Sequence, residues 1–175
     1  MRQEGELPQP MASLQIPLDR DSYLRALLGN LADTFEGVIG QRDAAGFVSI
    51  VGQRIGEEVS QNYRDALDRK RLTRAEVADA LVDFQRRVKG DFFVIEQDED
   101  KIVLGNRACP FAERAFGHPS LCMTTSGTFG VISAQNLGYA KVVIEQSIAQ
   151  GHPGCRVVIH LKPGSKAEGR EYYEV

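Results

Sequence analysis

Three cysteines are the residues of this chain best suited to chemistry: Cys109, Cys122 and Cys155. All of them lie in the last 67 of its 175 residues, spaced C-x12-C and C-x32-C. Cys109 stands in "GNRACPF", beside a proline in a loop setting. Cys122 ends "HPSLC", where a helix is expected to begin and unpaired backbone N–H groups favour a thiolate. Cys155 opens a strand directly after the turn "GHPG". Each cysteine therefore falls at a junction between elements, where side chains from distant segments can meet. Neither spacing is the short C-x2-C pair of a zinc knuckle. The plain alternative is that each thiol packs as a small hydrophobe.

Three convergent thiolates would hold an iron–sulfur cluster or a zinc ion, leaving a fourth position open. Glu145 is the best candidate for it within the chain. Lys141, Val143 and Glu145 alternate onto one face of the expected strand, with Val142 and Ile144 on the other. His152, in the same turn as Cys155, is a rival, and His118 lies in the loop between Cys109 and Cys122. His160 alternates with apolar strand residues and reads as structural or exposed. A thiol-nucleophile enzyme would need a cysteine and a histidine together, and Cys109 with His118 or His152 is the available pairing. No Walker or Rossmann fingerprint is present, and "TTSGTFG" is not a G-x-S-x-G elbow.

The elements that would position these residues follow from periodicity. Residues 1–17, with three prolines, read as a flexible arm. Asp19 or Asp21 caps a first helix with Leu24, Leu27, Leu28, Leu31, Phe35 and Val38 on one face, stopped by Gly40. A second helix runs from about Ala44 to about Ala66, with Phe47, Val51, Ile55 and Val59 recurring every fourth residue. Its Gly52 and Gly56 would let another helix approach. Thr73 and Glu76 form a capping box for a third helix, closed by Gly90. "DFFVIEQDEDKIVLGN" reads as a hairpin turning at Gln97–Asp100. A helix from Cys122 to about Leu137 follows, then strands at about 140–147 and 155–162. The order ααα-ββ-α-ββ predicts an α+β domain over residues 18–163. It combines N-terminal helices, an antiparallel sheet of about four strands and a central helix, with 164–175 as a tail.

Composition narrows the functional classes. Hydrophobic residues make up 42% of the chain and charged residues 26%, as in an ordinary globular protein. The formal charge of −3, with no long basic run, argues against direct nucleic-acid binding by this chain. No apolar run approaches the roughly 20 residues of a membrane span. "MRQEGELPQPMASLQIP" has no apolar signal region, so a cytoplasmic location is expected, where disulfides are rare.

"GNRACPF", "HPSLCMTTSGTFGVISAQNLGYAKV" and "GHPGCRVVIHL" together resemble the methanogen output domain 1 family, most strongly over residues 103–161. That resemblance implies a sensory or output module of prokaryotic signalling proteins. More distantly, the C-terminal half is similar to 4-vinyl-reductase domains, which implies a zinc held by cysteines and a glutamate near the last two strands. The matching positions are Cys122, Glu145 and Cys155. The remaining cysteine of that pattern falls near Ile148, and Cys109 could substitute for it. A weaker similarity, in cysteine count alone, is to the sensory half of iron–sulfur-dependent repressors. The winged-helix half of those repressors has no counterpart here.

The expectation is thus a non-enzymatic cytosolic sensor or output domain with a metal centre on Cys109, Cys122 and Cys155. Glu145 or His152 would complete it. It would signal as a homodimer through its first two helices, or to a regulatory protein partner. The alternative is a module binding a small hydrophobic ligand, in a pocket lined by Phe92, Ile102, Phe129 and Val142, with zinc as a structural ion.

Overall fold

The computed structural model describes residues 11–174, so residues 1–10, the larger part of the expected arm, lie outside the described residues. The first long helix, α1 (Arg20–Ile39), starts where Asp19 accepts from the Ser22 N–H at 2.7 Å. The Ser22 hydroxyl oxygen accepts in return from the Asp19 N–H at 2.9 Å. Helix α1 ends at Gly40, whose φ of 81° only glycine adopts without strain. Helix α2 (Gln41–Ala66) begins at the next residue, earlier than the periodicity suggests.

The inward faces of these two helices are the small residues. In α1 the buried positions are Gly29 and Ala32; in α2 they are Ala44, Ser49, Gly52, Gly56 and Ser60. The apolar stripes point outward, with Leu24, Leu28, Phe35, Phe47, Val51 and Ile55 all exposed. The reason is close helix packing. A Cβ on Gly52 would come within 2.5 Å of the Thr124 carbonyl oxygen, and one on Gly127 within 2.4 Å of the Ser49 carbonyl oxygen. Small residues on both sides let α2 lie almost backbone to backbone on α4 (Cys122–Leu137), and Thr128 Oγ1 donates to the Gly52 carbonyl at 3.0 Å.

Helix α3 (Arg74–Arg87) carries the expected Thr73–Glu76 capping box and buries Val77, Ala78, Ala80 and Leu81. Strands β1 (Phe92–Gln97), β2 (Lys101–Asn106), β3 (Tyr139–Gln146), β4 (Cys155–His160) and β5 (Arg170–Tyr173) form one antiparallel sheet in the order β1-β2-β4-β3-β5. The predicted α+β order is therefore present, with a fifth strand supplied by the tail. Strand register puts Ile102, Ile159 and Val142 side by side, under Phe129 and Ile132 of α4. Val103, Val158 and Val143 form a smaller cluster at the next register position. Tyr172 of β5 ties three elements together, its hydroxyl meeting Ser126 Oγ at 2.9 Å and Ser49 Oγ at 3.3 Å. Among the described residues no helix is long and apolar enough to cross a membrane.

One link between α2 and α3 makes a pH prediction. The Tyr63 hydroxyl donates to Asp83 Oδ2 at 2.6 Å. Burial first, and the Asp83 carboxylate second, push the phenol up to about 12. In the unfolded chain it ionises at about 10. Between those values the unfolded state has released a proton that the folded state retains, so stability falls as pH rises through that window. Urea midpoints measured from pH 9 to 12 should fall less steeply for Tyr63→Phe than for the natural chain. Parallel curves would contradict the assignment.

Candidate thiol site

Asn106 closes β2 and is 3% exposed, and its side chain organises the loop that follows. Its Oδ1 accepts from the N–H groups of Asp91 and Ala108, both at 3.1 Å. Its Nδ2 donates to Cys155 Sγ at 3.6 Å, directly across the β2–β4 ladder. The Ile148 N–H donates to the same sulfur at 3.5 Å. Two N–H donors on one sulfur is the hydrogen bonding that a metal-bound sulfur would receive.

Cys122 occupies the first turn of α4, as expected, yet its chemistry differs from the expectation. Burial pushes its thiol up to about 12, a hydrogen bond with Ser147 pulls the other way, and the neighbouring Cys109 and Cys155 push it up further. Desolvation outweighs the helix N-terminus, so at neutral pH this sulfur carries its proton unless a cation replaces it. That is the setting of a ligand or a packing thiol, and it is unsuited to a nucleophile. None of the three cysteines is in a disulfide.

All three line a single cavity of about 30 Å³, with Phe92, Asn106 and Ser147 among the other walls. Cys109, Cys122 and Cys155 therefore border one cavity. The two expected fourth ligands do not line it. Glu145 Oε2 accepts from Arg156 Nε at 2.8 Å. It lies where the β3–β4 register slips between Ile144 and Gln146, which breaks the alternation used to aim it. His152 Nδ1 faces the Ser147 carbonyl at 3.3 Å. His118 stands between Asp33 and Glu36 of α1, at 3.4 and 3.5 Å, and fastens its loop to that helix. His160 meets Ser165 Oγ at 3.2 Å.

Among the described residues, no group of three or more His, Cys, Asp or Glu side chains is already gathered as a metal-ion site. Three sulfurs, two N–H donors to one of them and apolar walls border the same cavity, the surroundings a thiophilic ion would need. Asn106 and Ser147 escape sequence reasoning, since neither type signals a site except beside the sulfurs it serves.

A second, larger cavity of about 470 Å³ adjoins the first, sharing Pro110, Phe111 and Thr125 with it. It lies among α1, α2 and α3. It is not the pocket expected between sheet and helices: Ile102, Phe129 and Val142 are at most 2% exposed and lie in the core, while Phe92 borders the smaller cavity.

Comparison with curated proteins gives no match. Among solved structures, a crystal structure of trafficking protein particle complex subunit 3 from Naegleria fowleri, covalently bound to palmitic acid, shares the fold. Its TM-score is 0.57 at 10% identity, over 81% of this chain and 95% of that one. Neither the 4-vinyl-reductase nor the repressor resemblance receives support from these comparisons. Residues 27–160, which hold α2–α4, strands β1–β4 and all three cysteines, match methanogen output domain 1, and the chain belongs to that family.

Proposed function

We propose that this chain is a cytoplasmic sensory or output module of a signalling protein, and that its state is set by a thiophilic metal on Cys109, Cys122 and Cys155. The observation that supports this is the shared cavity, with N–H donors aimed at one of its sulfurs. A cavity of about 30 Å³ suits a single ion. Size therefore favours zinc over an iron–sulfur cluster. Glu145 would reach such an ion only by leaving Arg156, and His152 only by leaving Ser147; a water molecule would otherwise complete a tetrahedral set. When bound, the ion would supply the charge that lets Cys122 give up its proton. Helix α4 starts at Cys122 and lies against α2, so a change at the sulfurs would reach α2 and α1. Their exposed Leu27, Leu31, Val38, Phe47 and Ile50 are the proposed face for a homodimer or a regulatory protein partner.

Cobalt titration of the reduced, metal-free protein tests the site. The expected result is a sulfur-to-cobalt charge-transfer band that saturates at about one ion per chain and weakens in each of Cys109→Ser, Cys122→Ser and Cys155→Ser. A band unchanged in those variants would rule out the three-sulfur site.

A second reading rests on the larger cavity. The trafficking subunit of like fold is covalently bound to palmitic acid. Under this reading the groove among α1, α2 and α3 holds an apolar small molecule, and any metal is structural.

A further inference from the structure

The groove of about 470 Å³ is walled by Leu24 and Leu28 of α1, Val51 and Ile55 of α2, and Phe84 and Val88 of the α3 end. These side chains are apolar, and all but Phe84 are exposed. Exposed leucine, isoleucine and valine gathered around one concavity cost free energy in water that an apolar occupant would recover.

The rim differs in kind. Arg25, Arg87, Lys89 and Asp21 stand there. Arg87 is committed to Asp83, its Nε donating at 2.7 Å. Arg25 and Lys89 share the Asp21 carboxylate, at 2.5 and 3.0 Å. The rim therefore already grips one carboxylate and still carries surplus positive charge. Two polar groups of the lining are also left over. Arg25 Nε is buried without a partner, and so is Oε1 of Gln85, a residue only 3% exposed. A buried N–H with no acceptor is costly unless something supplies one.

Apolar walls below and unspent cationic donors above describe one ligand class. We propose that this groove binds a single-chain anionic amphiphile, its alkyl chain along Leu28, Val51 and Phe84 and its head at Arg25 and Lys89. The proposal rests on the second reading of function and adds the head group to it. The groove's volume suits one alkyl chain, and a two-chain lipid would exceed it. The head would accept from Arg25 Nε and compete with Asp21 for Lys89. The Gln85 amide, turned over, would offer a neutral donor beside it. Phe111 and Thr125 line both the groove and the thiol cavity, so an occupant reaching them would press on the wall the cysteines share.

The test uses the full chain, freed of bound lipid, and three probes of equal chain length: dodecanoate, 1-dodecanol and methyl dodecanoate, each below its aggregation concentration. Melting temperature against probe concentration gives the affinities. Dodecanoate is expected to bind about tenfold more tightly than the other two, the effect of a charge-assisted hydrogen bond. In Arg25→Met/Lys89→Met that preference should vanish while 1-dodecanol binds as before, which also shows that the variant is folded. Equal binding of all three probes by the natural chain would overturn the head-group assignment and leave the groove reading standing. No binding of any probe to a cooperatively melting protein would overturn both.

Discussion

Phe129→Ala is expected to cost about 4 kcal/mol, the middle of the range for emptying a large aromatic from a core. Phe129 is fully buried. Its ring meets Phe92 edge to face, with centroids 5.2 Å apart and planes at 75°. Such a pair adds to the burial itself. The site would also feel the change, because Phe92 is a wall of the thiol cavity. Without its partner ring that wall loses its fixed position. Urea unfolding should show the loss of stability, and cobalt affinity should fall in the same variant. A loss below about 1 kcal/mol would mean that the core collapses around the gap and that Phe129 does not brace the site.

Gly127→Val is expected to cost about 3 kcal/mol through the opposite fault, overpacking. A Cβ at Gly127 would meet the Ser49 carbonyl oxygen at 2.4 Å, the Gln53 nitrogen at 2.8 Å and the Gly52 carbonyl carbon at 3.0 Å. All three are backbone atoms of α2, which no rotamer change can move. The helices must separate, and with them the Thr128–Gly52 hydrogen bond. The melting temperature should drop by about 10 °C, given roughly 2–4 °C per kcal/mol at this size. Gly37→Ala is the control: a Cβ there meets nothing within 4 Å, so that helix should keep or gain stability. If Gly127→Val melts like the natural chain, the account of α2 lying on α4 through small residues is wrong.

That same contact explains what periodicity leaves open. In α1 and α2 the large apolar residues recur at helical spacing, which gives each helix an apolar face without saying what covers it. The structure buries Gly29, Ala32, Gly52, Gly56 and Ser60, and the approach expected at Gly52 and Gly56 is made by α4. Small residues carry no hydrophobic signal, yet they set the approach of a helix, and the stripes they displace are left to wall a groove. Strand β5 is hidden for another reason. It is a charged four-residue edge strand, REYY, with Tyr172 as its one buried member. What local chemistry determines was readable: the Thr73–Glu76 box, the hairpin from Phe92 to Asn106 and the helix starting at Cys122. The junction placement of the cysteines was readable too, because each stands where one element hands over to the next. Their second neighbours were not, since Asn106 and Ser147 reach the sulfurs only through pairing across the fold.

Cys109, Cys122 and Cys155 are proposed to hold one thiophilic ion between them. Metal analysis of the natural chain and of Cys109→Ser/Cys122→Ser/Cys155→Ser, both purified without oxygen, tests it most directly. About one ion per chain is expected in the first and none in the second, with zinc favoured over iron and sulfide by the size of the cavity. Equal metal content in the two proteins, or none in the natural chain, would contradict it and leave three cysteines that only pack.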